Sequence, residues 1–104
     1  MLNSLKNLFS SEPKVNFDEL IKQGAIILDV RSAGEYASGH LNGAINIPLN
    51  VLPNNFAKLK KNKPIITCCA SGMRSSSATS ILKSNGFNEV YNGGGWTSLQ
   101  DKIA

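Results

Sequence analysis

The chain has 104 residues, 41% of them hydrophobic and 17% charged, a globular balance with no compositional sign of disorder that suits one compact core. Eleven Lys and Arg against seven Asp and Glu leave a net charge of +4. Much of that excess sits in Lys58, Lys60, Lys61 and Lys63, which read as a solvated helix end rather than a nucleic-acid face, since Phe56 is the one aromatic nearby. No apolar run reaches the roughly 20 residues of a membrane-spanning helix, so no membrane role is expected. Met1 to Phe9 lacks the apolar core and cleavage site of a secretory signal, which points to the cytoplasm. Leu2, Leu5, Leu8 and Phe9 fit one face of a short helix, so residues 1–14 read as an N-terminal extension before a domain over 15–104.

Within that domain, Asn16 followed by Glu19 is a helix N-cap pattern, and Gly24 is a plausible stop. Phe17, Leu20 and Ile21 take the buried side of the helix between them. Ala25 to Val30 is a nearly continuous apolar run, as in strands covered on both faces of a parallel sheet. Ser32-Ala33-Gly34-Glu35 repeats the capping pattern and opens a short helix that Gly39 closes. Ala44 to Ile47 is a short strand stopped by Pro48. Val51 to Lys60 reads as a helix with Pro53 near its start and Phe56 and Leu59 inward. Pro64 to Cys68 is a third buried strand, and Ser75 to Ser84 a helix with Ala78, Ile81 and Leu82 at core spacing. Glu89-Val90-Tyr91 is a last strand, followed by Gly93-Gly94-Gly95 and a final helix from about Trp96. Strands alternating with helices predict an α/β domain: an open, mainly parallel sheet of four to five strands with helices on both faces.

The two cysteines, Cys68 and Cys69, are adjacent. Neighbouring cysteines meet disulfide geometry poorly, and with His40 alone they leave a tetrahedral zinc site unfilled, so neither a disulfide nor a metal is expected. The stretch Cys69-Ala70-Ser71-Gly72-Met73-Arg74-Ser75 follows a buried strand and precedes a helix, at the edge where open α/β sheets place ligands. A thiol there meets free amides and the positive end of a helix, and both favour the nucleophilic thiolate, as does nearby Arg74. Gly72 allows backbone dihedrals that turn successive amides towards one centre. The competing reading is a structural turn around a buried cysteine.

Four ordered motifs resemble the rhodanese family over about Phe17 to Leu99. They are Asp29-Val30-Arg31; Glu35-Tyr36 with Gly39-His40-Leu41, Gly43-Ala44 and Ile47-Pro48; Cys69-x-x-Gly72-x-Arg74; and Gly94-Gly95-Trp96. The resemblance implies that Cys69 accepts sulfane sulfur as a persulfide. The amides of Ala70, Ser71, Gly72, Met73, Arg74 and Ser75 would surround it, and Arg74 would steady the loop or bind the anionic end of the donor. It also implies a double displacement, in which a donor such as thiosulfate or a persulfide loads Cys69 and cyanide or a thiol unloads it, without histidine base, cofactor or metal. The implied partners are a small-molecule sulfur donor and a thiol acceptor or sulfur-relay protein, and the implied state is a monomer.

Two departures stand out. Arg74 is the only cation of the loop, where some family loops carry more. Tyr91 to Gly95 is about one residue shorter than usual, and Leu99 stands where an aromatic is common. A cysteine phosphatase or arsenate reductase is the rival enzyme class, but the related phosphatase loop has five residues between cysteine and arginine, whereas Ala70 to Met73 gives four. A non-catalytic binding module is the third reading, and the presence of Cys69 argues against it. Asp29 and Arg31 are expected to be structural, with Arg31 pairing Glu35 and Asp29 accepting loop amides. His40 is expected to make a structural hydrogen bond, and Cys68 to be a small core residue facing away from Cys69. Trp96 is open to two readings, pocket wall or helix packing.

Overall fold

The computed structural model describes residues 15–103; the expected N-terminal helix lies outside them. Asn16 caps helix α1 (Phe17–Lys22), its side chain accepting the Glu19 amide at 3.1 Å. Strand β1 (Ile26–Asp29) follows, then helix α2 (Ala33–Ser38), opened by a complete capping box between Ser32 and Glu35. Strand β2 is short (Ile45–Asn46). Strand β3 (Ile65–Cys69) leads to helix α3 (Met73–Ser84), and strand β4 (Val90–Gly95) to helix α4 (Trp96–Lys102). Among the described residues no helix is long and apolar enough to cross a membrane.

The four strands form one parallel sheet in the order β2-β1-β3-β4. Successive strand residues face opposite sides, and each side has its own apolar cluster. Leu28, Ile65 and Cys69 pack with Leu52, Leu59, Ala78 and Leu82 beneath α3 and the segment after β2. Ile27, Ile66 and Cys68 pack on the other face with Phe17, Leu41 and Leu99, under α1 and α4. This is the expected α/β architecture, with every strand connection crossing a face of the sheet.

Beyond shifts of one residue at strand ends, three elements differ from the sequence expectation. The helix expected over Val51 to Lys60 is instead two 3₁₀ segments, Leu49–Asn54 and Phe56–Lys58. Pro53 supplies no N–H inside the first segment, and Asn55 donates its side-chain amide to the Val51 carbonyl at 2.7 Å, so local bonds displace the α ladder. Leu52 and Leu59 still reach the core. Helix α3 begins at Met73 rather than Ser75, so Met73, Arg74 and Ser75 form its first turn. Strand β4 runs on through the glycines to Gly95. Between Thr67↔Asn92 and Cys69↔Gly95 it carries one residue more than β3, a bulge with Gly94 in the left-handed region at φ 78°.

Candidate active site

Strand β3 delivers Cys69 to the carboxyl end of the sheet, beside the first turn of α3. Gly72 caps that helix with φ 106°, a conformation that a side chain penalises, and this turns the loop back over the sulfur. The Gly72 amide donates to Cys69 Sγ at 3.0 Å and the Ser75 amide at 3.4 Å. β4 packs closely on both β3 and the loop: a Cβ on Gly93 would lie only 2.7 Å from the Thr67 carbonyl oxygen, and one on Gly95 2.9 Å from that of Ala70. Cys69 is 1% exposed, so these amides meet its sulfur with little competition from water.

Ser75 adds a hydroxyl to this cradle. Its Oγ lies 3.5 Å from Cys69 Sγ, 3.0 Å from the Gly72 carbonyl and 2.6 Å from Asn92 Oδ1. Asn92 Oδ1 also accepts the Gly94 amide at 2.9 Å, so the bulge in β4 aims Asn92 at Ser75. The hydroxyl has one proton and three acceptors in reach. With a thiol it accepts from S–H; with a thiolate it can turn and donate to sulfur while Gly94 keeps hold of Asn92. Burial pushes the Cys69 thiol up, but the Ser75 hydroxyl and the amides of Ser75, Gly72 and Ser71 together outweigh it and hold the group below its ordinary value. Cys68, one residue earlier and on the opposite face, has burial without such donors. It is pushed up to about 12, with neighbouring Asp29 adding to the effect.

The Arg74 guanidinium makes no hydrogen bond to the sulfur and is paired elsewhere. It makes a fork with Glu35, Nη1 to Oε1 at 2.6 Å and Nη2 to Oε2 at 2.9 Å. Arg74 lowers Glu35 to about 2 and is itself raised by Glu35. It also borders a groove of about 430 Å³ whose other walls include Val30, Ala33, Pro48 and Leu49. Of the remaining loop residues, Ala70 and Ser71 are exposed, and the Met73 side chain is 80% exposed and directed to solvent.

A rhodanese-like domain model matches residues 14–102. This chain belongs to the rhodanese-like domain family. It is 37% identical over 68 residues to the thiosulfate sulfurtransferase GlpE of Stutzerimonas stutzeri, covering 65% of this chain and 62% of that one. It is 37% identical over 78 residues to the tRNA uridine(34) hydroxylase of Buchnera aphidicola, covering 69% of this chain and 25% of that one. The chain thus spans less than two thirds of the length of either relative. The crystal structure of a rhodanese with anions from E. coli superposes with a TM-score of 0.66 at 34% identity, covering 71% of this chain and 89% of that one.

In this rhodanese-like domain the family's other motifs shape the site rather than touch the sulfur. The expected Arg31–Glu35 pair does not form, and Asp29 accepts no amide of the cysteine loop. Arg31 instead forks onto Asp29, with Nη2 to Oδ2 at 2.8 Å, and donates to the Gly39 carbonyl at 2.7 Å. Asp29 Oδ1 accepts the Arg31 amide as well. Two residues apart on one strand end, these partners close on each other, which leaves Glu35 to Arg74. His40 stacks on Tyr36 with ring centroids 3.6 Å apart, and its Nδ1 meets the Tyr36 carbonyl oxygen at 2.7 Å. The Trp96 ring lies under the Arg31 guanidinium at 4.9 Å, so it packs the Asp29–Arg31 turn. Asn92 was not singled out from the sequence. Its one signal is an asparagine heading a run of three glycines, a composition that favours a turn within a strand.

Proposed function

We propose that this rhodanese-like domain is a sulfurtransferase that carries sulfane sulfur as a persulfide on Cys69. The observation that carries the reading is the cradle: a sulfur at the end of β3 that accepts two amides from a loop with four residues between Cys69 and Arg74. Donors fixed around one atom stabilise charge there without reorganising during reaction.

The Cys69 thiolate attacks the outer sulfur of the donor. A new S–S bond forms as the donor's own bond to that sulfur breaks, and the electron pair leaves with the donor residue, as sulfite from thiosulfate or as a thiolate from an organic persulfide. The Ser75 hydroxyl and the amides of Ser71, Gly72 and Ser75 hold the thiolate before attack. Together with those of Ala70, Met73 and Arg74 they surround the terminal persulfide sulfur afterwards. An acceptor thiol or cyanide then takes that sulfur and returns Cys69 to thiolate. No net oxidation occurs, so the cycle needs no cofactor. The acceptor is a small thiol or a sulfur-relay protein. The similarity to GlpE supports transfer chemistry; the hydroxylase match covers a quarter of that relative and supports a shared domain.

Loop size separates this reading from a phosphatase. A phosphocysteine needs donors for three oxygens, whereas a persulfide adds one atom to the sulfur. We expect the protein to move sulfur from a sulfane donor to cyanide or a thiol, with negligible hydrolysis of an aryl phosphate in a parallel assay. Efficient aryl phosphate hydrolysis without sulfur transfer would make it a phosphatase.

A further inference from the structure

We infer that Glu35 sets the donor preference of this site by masking Arg74, so that organic persulfides are favoured over the inorganic dianion thiosulfate. The inference deepens the sulfurtransferase reading and rests on it. Arg74 is the only cation between Cys69 and the end of the first turn of α3. Both arms of its fork are taken by the two Glu35 oxygens, at 2.6 and 2.9 Å. Two other cations of the described residues are engaged elsewhere. Arg31 is 5% exposed and committed to Asp29 and Gly39. Lys61 sits over the Phe87 ring, past the C-terminal end of α3 and so at the opposite end of that helix. The charge of the Arg74–Glu35 pair therefore sums to zero beside the loop, and what faces a donor is neutral amides.

Thiosulfate brings two negative charges to the Cys69 thiolate, and displaces sulfite, again a dianion. An organic persulfide brings one charge or none, and displaces a thiolate: RSS⁻ plus Cys69–S⁻ gives Cys69–SS⁻ plus RS⁻. Both exchanges balance without an oxidant, so they differ chiefly in the charge gathered at the loop. Like charges repel unless a cation is free to offset them, and the fork onto Glu35 engages the one cation of the loop. The groove beside Arg74 points the same way. Val30, Ala33, Pro48 and Leu49 offer apolar surface to the carbon skeleton of an organic persulfide, which thiosulfate does not have.

The test is the rate of loading Cys69 by thiosulfate divided by its rate with cysteine persulfide, each read by intact mass in quenched single turnovers. Glu35→Gln keeps the capping box, because the glutamine carbonyl accepts the Ser32 amide as Oε1 does. Its NH2, however, cannot accept Arg74 Nη2 and it carries no charge, so the fork is broken and the Arg74 charge is no longer offset. The thiosulfate-to-persulfide ratio should rise about fivefold. Adding Arg74→Gln to that variant should return the ratio towards its native value, because the gain runs through the freed guanidinium. Glu35→Asp, whose carboxylate falls one methylene short of the fork, should give a smaller rise, and it stands in should Glu35→Gln fail to fold. A ratio that stays constant, or rates that fall in parallel for both donors, would overturn the masking role and leave the sulfurtransferase reading in place. Failure of both donors to load the native protein would remove that reading and this one together.

Discussion

Two neighbouring thiols with the same intrinsic chemistry are shifted in opposite directions because β3 turns them to opposite faces. Cys68 lies among Phe17, Ile66 and Leu99, where burial resists ionisation. Cys69 is as deeply covered, yet finds the Gly72 and Ser75 amides and the Ser75 hydroxyl. Its thiolate is thus favoured by hydrogen bonds and in spite of burial. Loading should rise with pH as Cys69 ionises and level off above its midpoint, which lies below that of a free cysteine, near 8.5. Ser75→Ala removes a donor to the charged form and leaves a covered sulfur, so the midpoint should move to higher pH. Below that midpoint alkylation should slow by about fivefold. Iodoacetamide rates against pH, measured on the Cys68→Ser background, check both statements. A Ser75→Ala profile superimposing on that of the parent would remove Ser75 from the cradle.

At the scale of elements, the glycines of β4 matter as much as the loop they cover. Gly95 gives up its side chain because the Ala70 carbonyl oxygen would lie 2.9 Å from a Cβ, and that oxygen belongs to backbone, which yields poorly. Gly95→Ala should therefore lower stability by about 1–3 kcal/mol, read from thermal or urea unfolding, and should slow loading by displacing the loop. Unchanged stability would show that β4 does not clamp the loop. These contacts explain what the sequence could and could not announce. The runs at Ala25 to Val30 and Pro64 to Cys68 foretold buried parallel strands, since no other element buries so short a continuous stretch so well. Ser32 and Glu35 foretold a capping box, which forms. Yet Glu35 also reaches Arg74, 39 residues away, and a local capping pattern carries no trace of that second bond. The segment from Val51 misled because Leu52, Phe56 and Leu59 keep helical spacing while Pro53 and Asn55 break the ladder. The bulge was hidden because three glycines have no hydropathy period. Asn92 acquires its place only through that bulge.

For the whole molecule, the parallel sheet sets where chemistry can occur. With all four strands parallel in the order β2-β1-β3-β4, their carboxyl ends share one edge. The Asp29–Arg31 turn after β1, Asn46 in β2 and Cys69 at the end of β3 gather there. Asn46 ties the first turn down by donating to the carbonyls of Asp29 and Arg31, each at 3.0 Å. Cys69 lies on the side covered by α3, so the helix that supplies its amides also buries its side chain. Cys68 points to the other layer, away from any donor that enters by the loop. The assignment of the transferred sulfur to Cys69 is the centre of this account. Its most direct test is the intact mass of the native protein, Cys68→Ser and Cys69→Ser after exposure to cysteine persulfide, and again after adding a thiol. We expect native protein and Cys68→Ser each to gain one sulfur atom and then lose it, while folded Cys69→Ser gains none. A folded Cys69→Ser protein that still takes up and releases one sulfur atom would contradict the account.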